Sequence, residues 1–347
     1  MEKNTFDLKI FVKEHKKLSI IIGSLLAALI LFFIVVSILY NARTKNNEDV
    51  TLYVYPETTY NQLADTLEAK NVVDKNSFSF KTYSKLLSLN KKIRPGKYLI
   101  HRKASVFATV KHIRNGEQEP VKLTINGART IKDLTKNFTS NLMMKEADFN
   151  SFLDSMGYEY PTELFYDIIP DTYEVYWTIS PRDLMEKLKK TSDKWWDKRE
   201  RDVKKSGFTK EELIILASIV NEETNADEEK DRIAGVYVNR LKMSMALQAD
   251  PTVKFALQNF GLKRITGEHL KYDSKFNTYK YVGLPPAPIC IPSVSSLKKT
   301  VKYEKHKYLY FCAKEDFSGR HNFAKDLKEH QKNARKYHKA LNERNIK

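Results

Sequence analysis

Apolar residues are concentrated in one uninterrupted segment near the start of the chain. From Leu18 to Tyr40 the sequence LSIIIGSLLAALILFFIVVSILY contains no charged residue. A helix of this length would span roughly 34 Å at ~1.5 Å per residue, which is enough to cross a bilayer. A cleaved signal peptide fits less well, because its apolar core is usually ~7–15 residues long and ends in a small-residue cleavage site. The pattern therefore predicts a single transmembrane helix over residues 18–40.

Positive charges flank this segment unequally. Lysines precede it at positions 3, 9, 13, 16 and 17, whereas only Arg43 and Lys45 follow it closely. Because the flank richer in Lys and Arg stays in the cytoplasm, residues 1–17 are predicted to be a cytoplasmic N-terminus. Residues 41–347 would then lie outside the cytoplasm.

After residue 50 the spacing of apolar residues alternates between the spacing typical of strands and the spacing typical of helices. The sequence TLYVYPETTYNQLADTLEAKNVV predicts a short strand, a turn and an amphipathic helix from about Thr59 to Ala69. The later stretch IRPGKYLIHRKASVFATVKHIRNG predicts a turn, a short strand and a helix that ends near Gly116. With the polar residues 41–49 as a tether, residues 41–120 are predicted to form a small α+β module for binding or spacing.

A second unit begins with the strand pattern VKLTI at 121–125. Helical periodicity predicts helices over 131–155, 181–205, 209–224 and 228–242, then a strand at 308–311 and a basic helix over 325–344. That last helix is polar nearly all round, so its His330 and His338 are predicted to be solvated. The predicted fold class is α+β: one N-terminal transmembrane helix, a small α+β module, and a mixed α+β domain over 121–347.

Composition and motifs narrow the chemistry. The net charge is +17, of which the first 17 residues carry +2, and this excess would suit a polyanionic neighbour. No clustered Arg and aromatic motif favours nucleic acid. HExxH, CxxC, a glycine-rich phosphate loop and GxSxG are all absent from the sequence, so no metal or cofactor is predicted. Cys290 and Cys312 lie in apolar stretches and are predicted to be free thiols.

Carboxylates remain, and they cluster in LASIVNEETNADEE at 216–229. Thr209 and Glu212 form a capping-box pattern that predicts the start of the helix leading into this cluster. The apolar residues of this helix surround its axis, so it is predicted to be buried on every side. At ~100° per residue Glu223 falls on the arc of the apolar residues, whereas Glu222 lies beside it.

The acids of this cluster differ in their relation to the helix ends. Asp227, Glu228 and Glu229 fall in the first turn of the next predicted helix, capped by Asn225, where the backbone dipole favours acids. Glu222 and Glu223 lie at the opposite helix end, so burial and the dipole predict a raised pKa for at least one of the two. A carboxylic acid that stays protonated near neutral pH is what cleavage of a glycosidic bond requires. A buried structural acid is the alternative.

A series of further motifs resembles the YceG-like family of membrane-anchored endolytic murein transglycosylases. In order, these are PDTY (170–173), ASIV-x-x-ET (217–224), NRL (239–241), LQADPT (247–252), NTY (277–279), GLPP (283–286) and YLYF (308–311), followed by EH at 329–330. The resemblance implies that residues 50–120 are a LysM-like module and that residues 121–347 are the catalytic domain. It also implies a bacterial plasma-membrane location, glycan strands as substrate, and peptidoglycan synthases as candidate partners.

The resemblance implies that Glu223 is the catalytic acid. It would protonate the bond between N-acetylmuramic acid and N-acetylglucosamine, and the muramoyl C6 hydroxyl would close on C1 to give a 1,6-anhydro end. Candidate substrate contacts are the polar residues of the other motifs: Gln248, Asp250, Asn277, Thr278, Tyr279 and Asn239. Asn221 stands where the family commonly has Glu, and Ala287 where it usually has Gly.

Several of these residues have structural alternatives. Asp250 before Pro251 also fits a helix N-cap, and Arg240 could pair with Asp231 or Glu229 within a helix bundle. Two other functions also remain open. One is a non-catalytic wall-binding scaffold of the elongation or division machinery, and the other is an inverting muramidase that uses Glu223 with Asp250 or Asp273.

Overall fold

The computed structural model describes residues 16–262 and 264–343, and the chain divides into two compact units after Pro120. Helix α1, Lys16–Tyr40, is long and apolar enough to cross a membrane. The predicted cytoplasmic N-terminus, residues 1–17, lies outside the described residues except for its last two lysines. Residue 344, the last of the predicted basic helix, is also outside them.

The rest of the first unit is a two-stranded antiparallel sheet with three helices. Its elements are β1 (Val50–Val54), α2 (Tyr60–Ala69), α3 (Phe78–Leu86), β2 (Gly96–Ile100) and α4 (Val106–Asn115). Thr59 caps α2 in a capping box with Gln62, and Gly116 ends α4 with φ 76°. The α+β content is as predicted. Helix α3 was not predicted from the sequence.

Residues 41–49 are not a free tether. The Thr44 backbone N–H donates to the Ala104 carbonyl at 2.8 Å, and the Asn46 side-chain amide donates to the Ile100 carbonyl at 3.3 Å. Both residues are buried. The prediction of a tether was therefore wrong, because the Thr44 backbone N–H and the Asn46 side-chain amide donate to carbonyls of the module itself.

The second unit is mainly helical with two antiparallel strand pairs, β3 with β4 and β5 with β6. Its elements are β3 (Val121–Ile125), α5 (Ile131–Asn141), α6 (Glu146–Met156), β4 (Asp171–Val175), α7 (Pro181–Asp197), α8 (Glu200–Ser206), α9 (Lys210–Glu223), α10 (Lys230–Lys242), α11 (Asp250–Ala256), α12 (Gly267–Leu270), α13 (Val294–Val301), β5 (Tyr310–Ala313), β6 (His321–Ala324) and α14 (Leu327–Glu343). Short 3-10 turns precede β4 and α10.

Two predicted helices are each broken into two. The predicted helix 131–155 ends as α5 at Leu142, whose backbone is extended, and the following Met143 N–H donates to the Trp177 carbonyl at 2.9 Å. The predicted helix 181–205 breaks between α7 and α8 at Arg199. At Met143 a tertiary contact that the periodicity does not encode overrides helix propensity.

Helix α9 is the central element of the second unit. Every residue from Leu213 to Val220 is buried, and Thr209 with Glu212 forms the predicted capping box. One side of α9 packs against α10, while the other side packs with Trp196 and Leu297. A helix buried on every side has little freedom to move, so its last residue, Glu223, is held in a fixed position.

Candidate active site

Glu223 is held by one short hydrogen bond at the end of α9. The Tyr237 hydroxyl, from α10, donates to Glu223 Oε1 at 2.5 Å. The pKa of Glu223 is raised to about 7, with burial as the largest cause; the Tyr237 hydrogen bond acts to lower it, and the charge of Asp250 acts to raise it. The pKa of Tyr237 is also raised well above its ordinary value, mainly by burial and secondly by the charge of Glu223. The raised pKa that the sequence predicted for at least one of Glu222 and Glu223 therefore holds for Glu223, with burial as its main cause.

An open cleft of about 300 Å³ lies over Glu223. Its wall is formed by side chains of α10, of α11 and the loop before it, of the segment between α12 and α13, of β5 and of α14. These include Tyr237, Arg240, Gln248, Asp250, Tyr279, Tyr310, Phe311 and His330. The side chain of Glu223 is therefore packed among other residues and also borders a space that can admit a ligand.

Arg240 fixes two walls of this cleft. Its Nε donates to the Leu309 carbonyl at 2.7 Å and its Nη1 to the Leu247 carbonyl at 2.7 Å. The buried guanidinium thus holds the segment before β5 against the segment before α11. The suggested pairing of Arg240 with Asp231 or Glu229 was wrong: Arg240 bonds to the nearby Leu247 carbonyl and to the Leu309 carbonyl, which is distant in sequence.

Asp250 and Tyr279 form a hydrogen-bonded pair at the rim. The Tyr279 hydroxyl donates to Asp250 Oδ1 at 2.6 Å, and burial together with this bond raises the pKa of Tyr279. Asp250 is the first residue of α11, and the N-cap is Ala249 without a side-chain cap. The N-cap interpretation of Asp250 was therefore wrong, and its carboxylate is directed to the cleft.

Comparison with known proteins identifies the family. The sequence model of the YceG-like family matches residues 52–336. The chain belongs to the YceG-like family. An endolytic murein transglycosylase of Bacillus subtilis strain 168 is 29% identical over 298 residues, covering 79% of this chain and 81% of that protein. One of Streptococcus pneumoniae strain D39 is 25% identical over 319 residues, covering 82% of this chain and 57% of that protein.

A solved structure supports the same assignment. A YceG-like protein from Listeria monocytogenes superimposes with a TM-score of 0.54 at 28% identity, covering 83% of this chain and 99% of the other. This YceG-like chain thus shares its fold over most of its length with a structurally known member of the family.

The remaining predicted contacts of this YceG-like protein point inward. The Asn277 amide donates to the Leu270 and Tyr272 carbonyls at 2.9 and 2.8 Å, and the Thr278 hydroxyl accepts from the Ala249 N–H at 3.0 Å. Both Asn277 and Thr278 are fully buried. These residues hold the segment from 247 to 252 against Tyr279.

Of the two remaining candidates, Asn239 bonds to backbone groups behind the cleft wall, whereas Gln248 lines the cleft. The Asn239 amide donates to the His306 and Tyr308 carbonyls, both at 2.9 Å. Gln248 instead is exposed at the cleft, with φ 51° and its N–H donating to the Thr278 carbonyl at 3.1 Å. The structure therefore brings Gln248, Asp250 and Tyr279 to the cleft and places Asn239, Asn277 and Thr278 behind its walls.

His330 is a cleft residue that the sequence analysis assigned wrongly. It was predicted to be solvated, but its ring stacks on Tyr310 with centroids 5.3 Å apart and lines the cleft. The pKa of His330 is lowered, mainly by burial and secondly by the charge of Arg240. Its Nδ1 is buried without a hydrogen-bond partner among the described residues. The EH motif at 329–330 was the available signal, and the polar pattern of the helix obscured it.

The acids that follow Glu223 are structural. The turn at Asp227–Glu229 has Ala226 as its N-cap without a side-chain cap, so the predicted cap by Asn225 was wrong. Glu229 is buried and accepts from His321 Nδ1 at 2.9 Å and from the His321 backbone N–H at 3.1 Å. Glu229 thus ties this turn to β6 rather than lying in a solvated first turn.

Cys290 and Cys312 are free thiols, as predicted, and burial raises the pKa of both. Within residues 16–262 and 264–343, no group of three or more His, Cys, Asp or Glu side chains is placed to hold a metal ion.

Proposed function

We propose that this protein is an endolytic peptidoglycan lytic transglycosylase. It cleaves the bond between N-acetylmuramic acid and N-acetylglucosamine in nascent glycan strands, leaves 1,6-anhydro muramoyl ends, and so limits strand length. The observation that carries this proposal is Glu223, whose pKa is raised to about 7 by burial at the base of an open cleft. The two curated relatives described above carry the corresponding name.

One carboxyl group suffices for the proposed reaction. The protonated Glu223 gives its proton to the glycosidic oxygen as the bond from that oxygen to C1 breaks. The resulting carboxylate takes the proton of the muramoyl C6 hydroxyl, and this oxygen forms the new bond to C1. Glu223 thereby regains its proton and no water is consumed, so no second carboxylate is needed to activate water.

Tyr237 supports both forms of the acid. Its hydroxyl donates to Glu223 Oε1 at 2.5 Å, which stabilises the carboxylate formed after the first proton transfer. Because Tyr237 is itself uncharged, it does not hold Glu223 in the ionised form as a cation would. The same contact fixes the direction of the carboxyl group toward the cleft.

The substrate contacts divide into two groups within this proposal. Gln248, Asp250 and Tyr279 line the cleft and can bond sugar hydroxyls directly. The predicted contacts Asn239, Asn277 and Thr278 act through the loops that they hold, since their side chains bond to backbone groups.

The first unit supplies location in this proposal. Helix α1 anchors the protein in the bacterial plasma membrane with the N-terminus cytoplasmic, and the LysM-like module at 41–120 binds glycan or sets the distance from the membrane. The length and apolar composition of α1 support the anchor. Peptidoglycan synthases are the candidate protein partners, because they produce the nascent strands.

Digestion of purified, uncrosslinked glycan strands tests the function. The full chain in detergent should produce 1,6-anhydro ends detectable by mass spectrometry, and Glu223→Gln should abolish them. Glu211→Gln, which removes an exposed acid from the same helix, is the matched control and should retain activity. Activity that persists in Glu223→Gln, or folded wild type without anhydro ends, would contradict the proposal.

The same digestion separates the alternatives. An inverting muramidase would leave reducing ends in place of anhydro ends, and a scaffold would leave the strands uncut. Asp273 is a poor partner for a hydrolase, because it bonds Lys280 at 2.7 Å and Tyr281 at 2.9 Å and does not line the cleft. Asp250 does line it, so Asp250→Asn is the variant that distinguishes the hydrolase.

A further inference from the structure

A second, smaller depression shares helix α11 with the acid cleft. It has a volume of about 80 Å³ and is lined by Arg129, Glu222, Pro251, Lys254, Phe255 and Phe260, which we call the Arg129 pocket. Asp250 lines the acid cleft and Lys254 lines the Arg129 pocket. Residues four apart lie on one helix face, so α11 connects the two spaces.

The Arg129 pocket also adjoins the catalytic acid. Glu222 lines it and Glu223 lines the cleft, so the end of α9 contributes one carboxyl group to each. Burial dominates the pKa of Glu223, and the charge of Lys254 opposes that effect, which places Lys254 within electrostatic reach of the acid. A ligand group in this pocket would therefore lie beside a substrate bound at Glu223.

Positive charge exceeds negative charge in the pocket. Arg129 Nε donates to Glu222 Oε2 at 2.7 Å, and its guanidinium lies over the Phe260 ring at 5.6 Å. The Arg129 side chain is still 50% exposed, whereas Glu222 is 16% exposed. Within the described ranges Lys254 has no ion pair. One cation thus remains unbalanced, and Arg129 keeps N–H groups that can bind a carboxylate.

A larger cavity shares a wall residue with the Arg129 pocket. Phe255 also lines an adjacent cavity of about 400 Å³, whose walls include Ile131, Tyr160 and Phe276. Polar groups of Thr130, Lys132 and Gln258 occur in the same lining. A ligand with a carboxylate in the Arg129 pocket can therefore extend along α11 into a larger, mainly apolar space.

We propose that the Arg129 pocket is an anion subsite that binds a carboxylate carried by the side arm of the muramoyl residue. The glycan backbone is uncharged, so the arm on muramic acid is the source of carboxylates: the lactyl group where no peptide is attached, or the peptide stem where one is. The adjacent apolar cavity would receive the rest of a stem. This inference rests on the proposed function and states that the enzyme recognises more than the sugar chain.

The test compares three preparations of the same strands. One carries complete peptide stems, one carries only the lactyl carboxylate after the stems are removed, and one has that carboxylate converted to an amide. The principal variant is Lys254→Gln, assayed as full chain in detergent. Lys204→Gln is its control, because Lys204 is an exposed lysine that pairs with Glu200 one turn away on the same helix.

Loss of Lys254 should raise KM about fivefold on a carboxylate-bearing strand and leave KM unchanged on the amide form. If Lys254→Gln raises KM on the strand with only the lactyl carboxylate, the lactyl carboxylate is the group that binds. If it raises KM only on the strand with complete stems, the binding group is a carboxylate of the stem. Arg129→Lys, which keeps a charge beside Glu222, should show the same selectivity because it loses the planar fork. Circular dichroism establishes that each variant is folded.

The opposing outcomes are distinct. An equal change on all three strands, or none on any, overturns the anion subsite while leaving the transglycosylase function intact. An equal change would mean that Lys254 acts only through its charge near Glu223. Wild type that produces no anhydro ends on any of the three strands would overturn the proposed function instead.

Discussion

Replacement of Glu223 by Gln should make the second unit more stable at alkaline pH. In the folded protein Glu223 titrates at about 7, whereas its ordinary value is 4.5. Between these two values the folded state holds a proton that the unfolded state has released. Stability therefore falls as pH rises through this window, and the loss is complete above pH 7. Glutamine at position 223 removes this loss of stability, because the glutamine amide does not ionise and its Oε1 can still accept from the Tyr237 hydroxyl.

The magnitude follows from the two pKa values. The interval from 4.5 to about 7 corresponds to about 3 kcal/mol at about 1.4 kcal/mol per pH unit. The difference in free energy of unfolding between Glu223→Gln and wild type should therefore increase by about 3 kcal/mol from pH 4 to pH 8. Catalysis should disappear in the same variant, so the acid is kept at a cost to stability.

Urea unfolding followed by tryptophan fluorescence measures this difference. Trp177, Trp195 and Trp196 are the three tryptophans of the chain, and all lie in the second unit. Glu211→Gln provides the control, since it removes an exposed carboxyl group from the same helix. A difference between Glu223→Gln and wild type that is the same at pH 4 and pH 8 would refute the account of Glu223 as an acid held protonated by burial.

Three other substitutions test neighbouring contacts. Tyr237→Phe removes the hydrogen bond that lowers the pKa of Glu223, so the alkaline limb of the kcat/KM profile should move to higher pH. Arg240→Lys cannot reproduce both bonds to the Leu309 and Leu247 carbonyls and should lower the free energy of unfolding by about 2 kcal/mol in urea. His330→Gln should lower kcat/KM about fivefold without changing the far-ultraviolet circular dichroism, because the stacking on Tyr310 is lost at the cleft.

Local signals allowed much of the fold to be predicted. The capping box at Thr209 and the strand at 121–125 depend on residues that are neighbours in sequence, and both occur as predicted. The errors occur where distant residues decide the structure. Helix α5 ends early because Met143 pairs with the Trp177 carbonyl. Residues 41–49 dock because backbone groups far along the chain accept their hydrogen bonds.

The same distinction between features set by sequence neighbours and features set by distant residues applies to the candidate site. Glu223 could be singled out, because its burial and its helix-end position both follow from local periodicity. Arg240 and His330 could not be assigned correctly, since Arg240 bonds to the Leu309 carbonyl 69 residues away and His330 stacks on Tyr310, a strand residue 20 positions earlier. Polar residues with such partners have the same local pattern as solvated ones.

The partners of three neighbouring acids explain why Glu223 is the one proposed for proton transfer. Glu222 is paired with Arg129 at 2.7 Å and Glu229 with His321 at 2.9 Å. Among the described residues Glu223 has no ion pair, and its hydrogen-bond partner is the neutral hydroxyl of Tyr237. A cation at that position would stabilise the carboxylate and release the proton that the glycosidic oxygen needs. A neutral donor instead orients the carboxyl group while burial keeps it protonated.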